Sequence, residues 1–184
     1  GGGGRAARRP VGVDQLRRVL LEVGAGDGNG ERPLRGGHRE PAARREALLE
    51  RVGAVDANFP MRCEEGADPY QLRLGELGRF DLVHLGLGRD GHTASLFPGS
   101  AALDADPGRL VAMNEDPLGN NPHPRMTLTF AGIARARTAV VTVVGEEKAE
   151  ALAAVARGDD LPATHLRADR LVWLVDPAAA ALLP

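Results

Sequence analysis

The segment GLGRDGH, residues 86–92, follows directly on the apolar run FDLVHL and sets an aspartate, Asp90, two positions before a histidine, His92, among the glycines Gly86, Gly88 and Gly91. Two chemistries fit these residue types. The three glycines have the G-x-G-x-x-G spacing of a dinucleotide-binding loop, whose glycines let backbone approach a pyrophosphate. Alternatively, the loop presents His92 to another substrate, since an imidazole is the side chain best suited to proton transfer near neutrality. The dinucleotide reading needs a full helix after the loop and an acidic residue about 20 positions on, at the end of a second strand. The following segment is TASLFPG, where Pro98 and Gly99 stop a helix after about two turns, and Asp104 and Asp106 lie in the loop-like LDADPG. A short helix is therefore expected after His92, with Asp90 or Thr93 as its cap and its first N–H groups free for an anion or a developing oxyanion. On spacing alone, Asp90 as a plain cap and His92 as a plain loop residue remain open as well.

The elements around this loop are predicted from periodicity. PAARREALLERV (41–52) reads as a helix with Pro41 in its first turn, and DPYQLRLGELG (68–78) as a weaker one closed by Gly78. FDLVHLGL (80–87) and TAVVTVVG (138–145) are short, nearly continuous apolar runs, as expected for strands covered on both faces. RLVAMN (109–114), RMTLTF (125–130) and RLVWLVD (170–176) are further strands, and VDQLRRVLLEV (13–23) is a strand or a short helix. EEKAEALAAVARG (146–158) has helical spacing, acids at its start and Gly158 at its end. Strands alternating with helices imply an α/β fold, a Rossmann-like and largely parallel sheet flanked by helices. Ligands bind such sheets at the carboxyl ends of the strands, which puts 86–92 and the GEEK loop that follows 138–144 at the site edge. Residues 1–40 are an irregular, Gly- and Arg-rich segment; residues 41–184 are expected to form the α/β body of one single domain.

Composition narrows the function. The 184 residues hold 43% apolar and only 3% aromatic residues, so the core is expected to be built of Leu, Val and Ala. The formal charge of −2 gives no reason to expect nucleic acid or an anionic membrane as partner, although arginines crowd the first 50 positions. The single cysteine, Cys63, allows no internal disulfide or cysteine-based zinc cluster and fits a reducing, cytoplasmic setting. No run approaches the ~20 apolar residues of a membrane span, and the start GGGGRAARRP has no signal-peptide core. His84 reads as a packed strand residue; His38, His123 and His165 sit in loops without partners at metal-ligand spacing, so no metal site is expected.

The stretch FDLVHLGLGRDGHTASLFPGS resembles the signature of the 6-phosphogluconolactonases, in which a strand ending in Leu/Met-Gly runs into Asp-Gly-His-x-Ala-Ser-Leu-Phe-Pro-Gly. PHPRMTLTF and VVTVVGEEKAEAL are similar to two further segments of that family, and ERPLRGGH…REALLERV more loosely to a third. The resemblance runs over about residues 40–176. It implies hydrolysis of 6-phospho-D-glucono-1,5-lactone to 6-phosphogluconate, a step of the pentose phosphate pathway, without cofactor or metal, on a small-molecule phosphorylated sugar lactone. His92 then takes the proton-transfer role and Asp90 shapes the loop. Gly86, Gly88 and Gly91 line the substrate, Lys148 meets its phosphate at the start of a helix, and Arg125 and Arg32 contact the sugar phosphate. A monomer or weak homo-oligomer is expected. Deaminases of the same superfamily typically continue Asp-Gly-His with Ile-Ala-Phe-Asn-Glu-Pro-Gly, where this chain has Thr-Ala-Ser-Leu-Phe-Pro-Gly. A deaminase or isomerase, or a non-catalytic homologue that binds sugar phosphates, stand as the alternatives. The family's Gly-Gly-Ser-x-Pro phosphate loop is not matched by Gly1–Gly4, so the N-terminal part is expected to be degenerate or truncated.

Overall fold

The computed structural model describes residues 19–21, by their backbone, and residues 61–183. The expected helix over 41–52, Arg32, His38 and the glycine run Gly1–Gly4 lie outside the described residues. Four strands form one parallel sheet: β1 (Val19–Leu21), β2 (Phe80–Gly86), β5 (Ala136–Val143) and β6 (Arg170–Val175), in the spatial order β1-β2-β5-β6. The ambiguous segment 13–23 thus contributes a strand. A separate antiparallel pair, β3 (Val111–Asn114) and β4 (Arg125–Leu128), stands outside that sheet. The sequence identified both strands but not their direction. Apolar alternation reports burial of one face, and either a parallel or an antiparallel ladder meets it.

Helix α1 (Ala67–Leu77) ends at Gly78, as its sequence predicts, and docks on the start of β3 through Gln71. The Gln71 side chain accepts from Leu110 N at 2.7 Å and donates to Gly108 O at 3.2 Å. Thr129 caps the one-turn helix α2 (Phe130–Ile133) by accepting from Gly132 N. Helix α3 (Ala149–Arg157) buries Ala149, Ala151, Leu152 and Ala153 and is closed by Gly158 in the left-handed region. The core gathers Leu74, Val83, Leu85, Leu128, Ile133, Val141 and Val143, together with the two largest buried side chains, Phe80 and Phe97. Aromatics are therefore few but central: each contributes on the order of 1.5–3 kcal/mol by leaving water.

The register sets the site edge. Gly86 of β2 lies opposite Thr142 of β5, and Val143 of β5 opposite Val175 of β6. Three strands thus end side by side, and the loops beginning at Leu87, Val144 and Asp176 leave from one edge. Asp176 fastens two of them, its carboxylate accepting from Gly145 N at 3.2 Å and from Ala179 N at 2.8 Å.

The expected short helix after His92 is not there. Thr93 and Leu96 form an isolated bridge around a turn in which Ala94 has φ +52°. Alanine favours helix in isolation, but here tertiary bonds decide. Thr93 Oγ1 donates to Gly86 O at 2.9 Å, and Ser95 N donates to Thr127 Oγ1 on β4 at 3.1 Å. Asn114, 5% exposed at the end of β3, completes the fastening. Its Nδ2 donates to Ser95 O (2.6 Å) and Ser100 Oγ (2.9 Å), and its Oδ1 accepts from Ala102 N (3.2 Å). Replacing Asn114 with Ala strands two buried backbone groups, Ser95 O and Ala102 N, and leaves Ser100 Oγ only its bond to Phe97 O. We expect Asn114→Ala to lower the unfolding free energy by about 2–4 kcal/mol in urea titration; a change under about 0.5 kcal/mol would show that the network is not what holds this segment.

Candidate active site

At the carboxyl end of β2 the chain doubles back on itself. Gly88 N donates to His92 O at 2.7 Å, and Gly91 N donates to Gly88 O at 3.1 Å. This tight loop brings the Asp90 carboxylate onto the His92 ring: Asp90 Oδ1 lies 2.6 Å from Nδ1 and also accepts from His92 N at 3.1 Å. The carboxylate demands a donor at Nδ1, so the neutral imidazole carries its proton there and its Nε2 lone pair is a proton acceptor. Among the described residues no hydrogen bond engages Nε2. The ring packs on buried Phe97, with centroids 4.9 Å apart and planes tilted by 59°. The side chain of His92 is 11% exposed and that of Asp90 30%.

Two of the glycines are required sterically. A Cβ on Gly88 would lie 2.1 Å from His92 Nδ1 and 2.6 Å from Asp90 Oδ1, so the pair occupies the space a side chain would take. Gly91 has φ +82°, and a Cβ there would meet Leu161 at 2.8 Å; its carbonyl accepts from Ala163 N at 3.1 Å, bracing the loop from the segment after α3. Gly86 is different. A Cβ there would find only Thr142 O at 4.0 Å, and the residue serves by its carbonyl, which receives Thr93. The first backbone N–H groups expected to face an anion are spent inside the loop, Gly91 N on Gly88 O and His92 N on Asp90. With no helix following, neither a helix N-terminal anion site nor a dinucleotide loop is formed at this position.

Burial works to raise the pKa of Asp90, but the side-chain and backbone hydrogen bonds from His92 and its charge outweigh it, and the carboxyl sits below its ordinary value. The other site residues arrive from neighbouring elements. Arg125 opens β4, paired across the hairpin with Asn114. Lys148 ends the 3-10 turn Glu146–Lys148 after β5, half-buried and without an ion-pair partner among the described residues. Its loop leaves from the same sheet edge as the Asp90–His92 loop. His84 is half-buried and bonded to Thr142 Oγ1 at 2.7 Å, a packed strand residue as predicted. His123 and His165 are exposed. Among the described residues no cluster of three His, Cys, Asp or Glu could hold a metal, and no helix is long and apolar enough to cross a membrane. Sequence reasoning missed Asn114, Ser95, Thr127, Asp116 and Asn121, short polar residues that look like loop surface. The one available signal, for Ser95, Asn114 and Thr127, was their position within the motif or the strands that flank it; Asp116 and Asn121 lie in the connection between those strands and carried none.

With this geometry in view, the comparisons with known proteins are decisive about ancestry. The family described as glucosamine-6-phosphate isomerases/6-phosphogluconolactonase matches residues 31–173. The chain belongs to that family. It is 34% identical over 154 residues to a 6-phosphogluconolactonase of Synechocystis, covering 73% of this chain and 62% of the relative. It is 35% identical over 145 residues to a 6-phosphogluconolactonase of Rattus norvegicus, covering 72% of this chain and 54% of that one. Among solved structures, the 6-phosphogluconolactonase of Thermotoga maritima superposes with a TM-score of 0.61 at 27% identity, over 78% of this chain and 67% of that one. The chain thus spans 62% and 54% of the length of these two curated relatives.

Ionised Asp90 stabilises the folded state because its pKa is lower there than in the unfolded chain. That contribution is present at neutral pH and is lost as pH falls through the folded value, below the usual carboxylate range near about 4. The melting temperature of the chain should exceed that of Asp90→Asn at neutral pH, and the gap should narrow as pH is lowered below the usual carboxylate range. A gap that is constant across the range would show that the charge of Asp90 contributes nothing.

Proposed function

We propose that the chain hydrolyses 6-phospho-D-glucono-1,5-lactone to 6-phosphogluconate, with His92 as the proton-transfer residue. The observation that carries this is the 2.6 Å contact between Asp90 and His92 Nδ1, which turns the unengaged Nε2 outward as a base. Membership of the family and its lactonase relatives supply the substrate class. In the proposed step, Nε2 takes a proton from water as the water oxygen bonds to the lactone carbonyl carbon. The tetrahedral intermediate then collapses, the bond from that carbon to the ring oxygen breaks, and the ring oxygen receives the proton from the imidazolium. Asp90 keeps the ring in the tautomer that can do this and steadies the imidazolium between the two transfers.

The phosphate of the substrate calls for fixed cations. We assign it to Lys148 and Arg125, with Arg32 as a further contact and the glycine loop Gly86, Gly88 and Gly91 as the floor beneath the sugar. The half-buried, unpaired state of Lys148 at the shared sheet edge supports its part. The reaction so written uses water and protein groups only. We place it in the cytoplasm, on a small phosphorylated sugar lactone rather than nucleic acid or membrane, in a monomer or weak homo-oligomer.

The test is hydrolysis of 6-phosphogluconolactone formed in situ, corrected for its spontaneous opening. The chain should accelerate it, and His92→Ala should reduce kcat by about 10²–10⁴-fold. Gly88→Ala, which pushes the imidazole off the carboxylate, should cost on the order of 100-fold through misplacement alone. A folded chain that does not exceed the background, or a His92→Ala variant with full activity, would refute the assignment.

A further inference from the structure

We propose that Asp116 and Asn121 are positioning residues that hold the Arg125 guanidinium ready for an anionic oxygen of the substrate. This rests on the lactonase reading above. Asp116 lies in the segment 115–124 that joins β3 to β4, and it is 9% exposed although it is charged. Its carboxylate is filled by that segment: Oδ1 accepts from Leu118 N at 2.9 Å, and Oδ2 accepts from Asn121 N at 3.0 Å and from Asn121 Nδ2 at 2.9 Å. Spending the Asn121 amide nitrogen on Asp116 fixes which way the amide faces. Its Oδ1 is thereby turned to Arg125, whose Nη2 donates to it at 2.9 Å. The result is a directed chain, Asp116 to Asn121 to Arg125.

That chain ends on an unspent donor. Arg125 Nε is buried and has no hydrogen-bond partner among the described residues. A buried donor without an acceptor is costly, so one that a protein keeps calls for a reason, and a ligand that supplies the acceptor is one. The place is suitable. Arg125 pairs across the hairpin with Asn114, which bonds Ser95 O, and Thr127, two residues along β4, accepts from Ser95 N. Ser95 is three residues after His92, so the strand that carries Arg125 is fastened to the turn that carries the imidazole.

A purely structural staple and a positioning relay differ in kinetics. The substrate anion is present in ground and transition states alike, so a misaligned Arg125 raises KM and leaves kcat nearly unchanged. Asn121→Ala should raise KM for 6-phosphogluconolactone roughly tenfold with kcat within about twofold, as for loss of a hydrogen bond to a charged group. In an Arg125→Ala background the same change should add nothing, because the relay has lost its end point. Asn121→Asp, which is isosteric and keeps the backbone bond to Asp116, sets a carboxylate on the guanidinium and should also raise KM; it serves if Asn121→Ala does not fold. A silent Asn121→Ala, or effects of Asn121→Ala and Arg125→Ala that add in full, overturns the relay while leaving the lactonase reading intact. If the folded chain shows no lactonase activity, that reading falls, and the relay is read directly from the Arg125 Nε–H resonance in NMR. Titrated with 6-phosphogluconate, and separately with inorganic phosphate, that resonance should shift in the unsubstituted chain and fail to shift in Asn121→Ala. An Nε–H that ignores both anions in the unsubstituted chain overturns the proposal.

Discussion

The site depends on one contact, the Asp90 carboxylate against His92 Nδ1, and that contact exists only because Gly88 has no side chain. The imidazole and the carboxylate both lie within 2.6 Å of where a Cβ would be. A carboxylate two residues before a histidine ordinarily points elsewhere. Here the backbone bond from Gly88 N to His92 O closes the loop tightly enough to face them. A proton acceptor aimed outward thus follows from a missing methyl group.

What surrounds that contact serves to keep it in place. The parallel register of β2, β5 and β6 delivers three loops to one edge. The antiparallel pair β3 and β4 approaches from the side, and Asn114 and Thr127 tie it to the turn that follows His92. These are buried polar bonds, whose worth lies less in net stability than in the penalty for leaving any of them unmade. They also account for Ala94 at φ +52°: the turn is held open on both sides, so one alanine tolerates the left-handed region at a cost of about 1 kcal/mol.

The strands and helices of the body were legible in the sequence. FDLVHLGL, TAVVTVVG and RLVWLVD became β2, β5 and β6 within two residues of their predicted limits, and Gly78 and Gly158 end their helices as read. Apolar period and glycine placement are local properties, and these elements obey them. The turn after His92 was not legible, because its conformation is imposed by Gly86, Asn114 and Thr127, far away along the chain. The separation of β3 and β4 from the parallel sheet was hidden for the same kind of reason, since strand direction is fixed by partners and not by period. Of the site, His92, Asp90 and Gly88 were visible as a motif. Their dependence on one another was not, because spacing alone left Asp90 as a plain cap open. Asn121 and Asp116 had no signal at all: a polar loop residue that positions an arginine looks the same in sequence as one that faces water.

The tautomer of His92 is decided by the ring ¹⁵N shifts and two-bond ¹⁵N–¹H couplings of the labelled chain under conditions where the ring is neutral. The proton is expected on Nδ1, in a hydrogen bond to Asp90, with Nε2 showing the shift of an unprotonated nitrogen, and Asp90→Asn is expected to disturb that pattern. A neutral ring carrying its proton on Nε2 would contradict the account, since no base would then face the substrate.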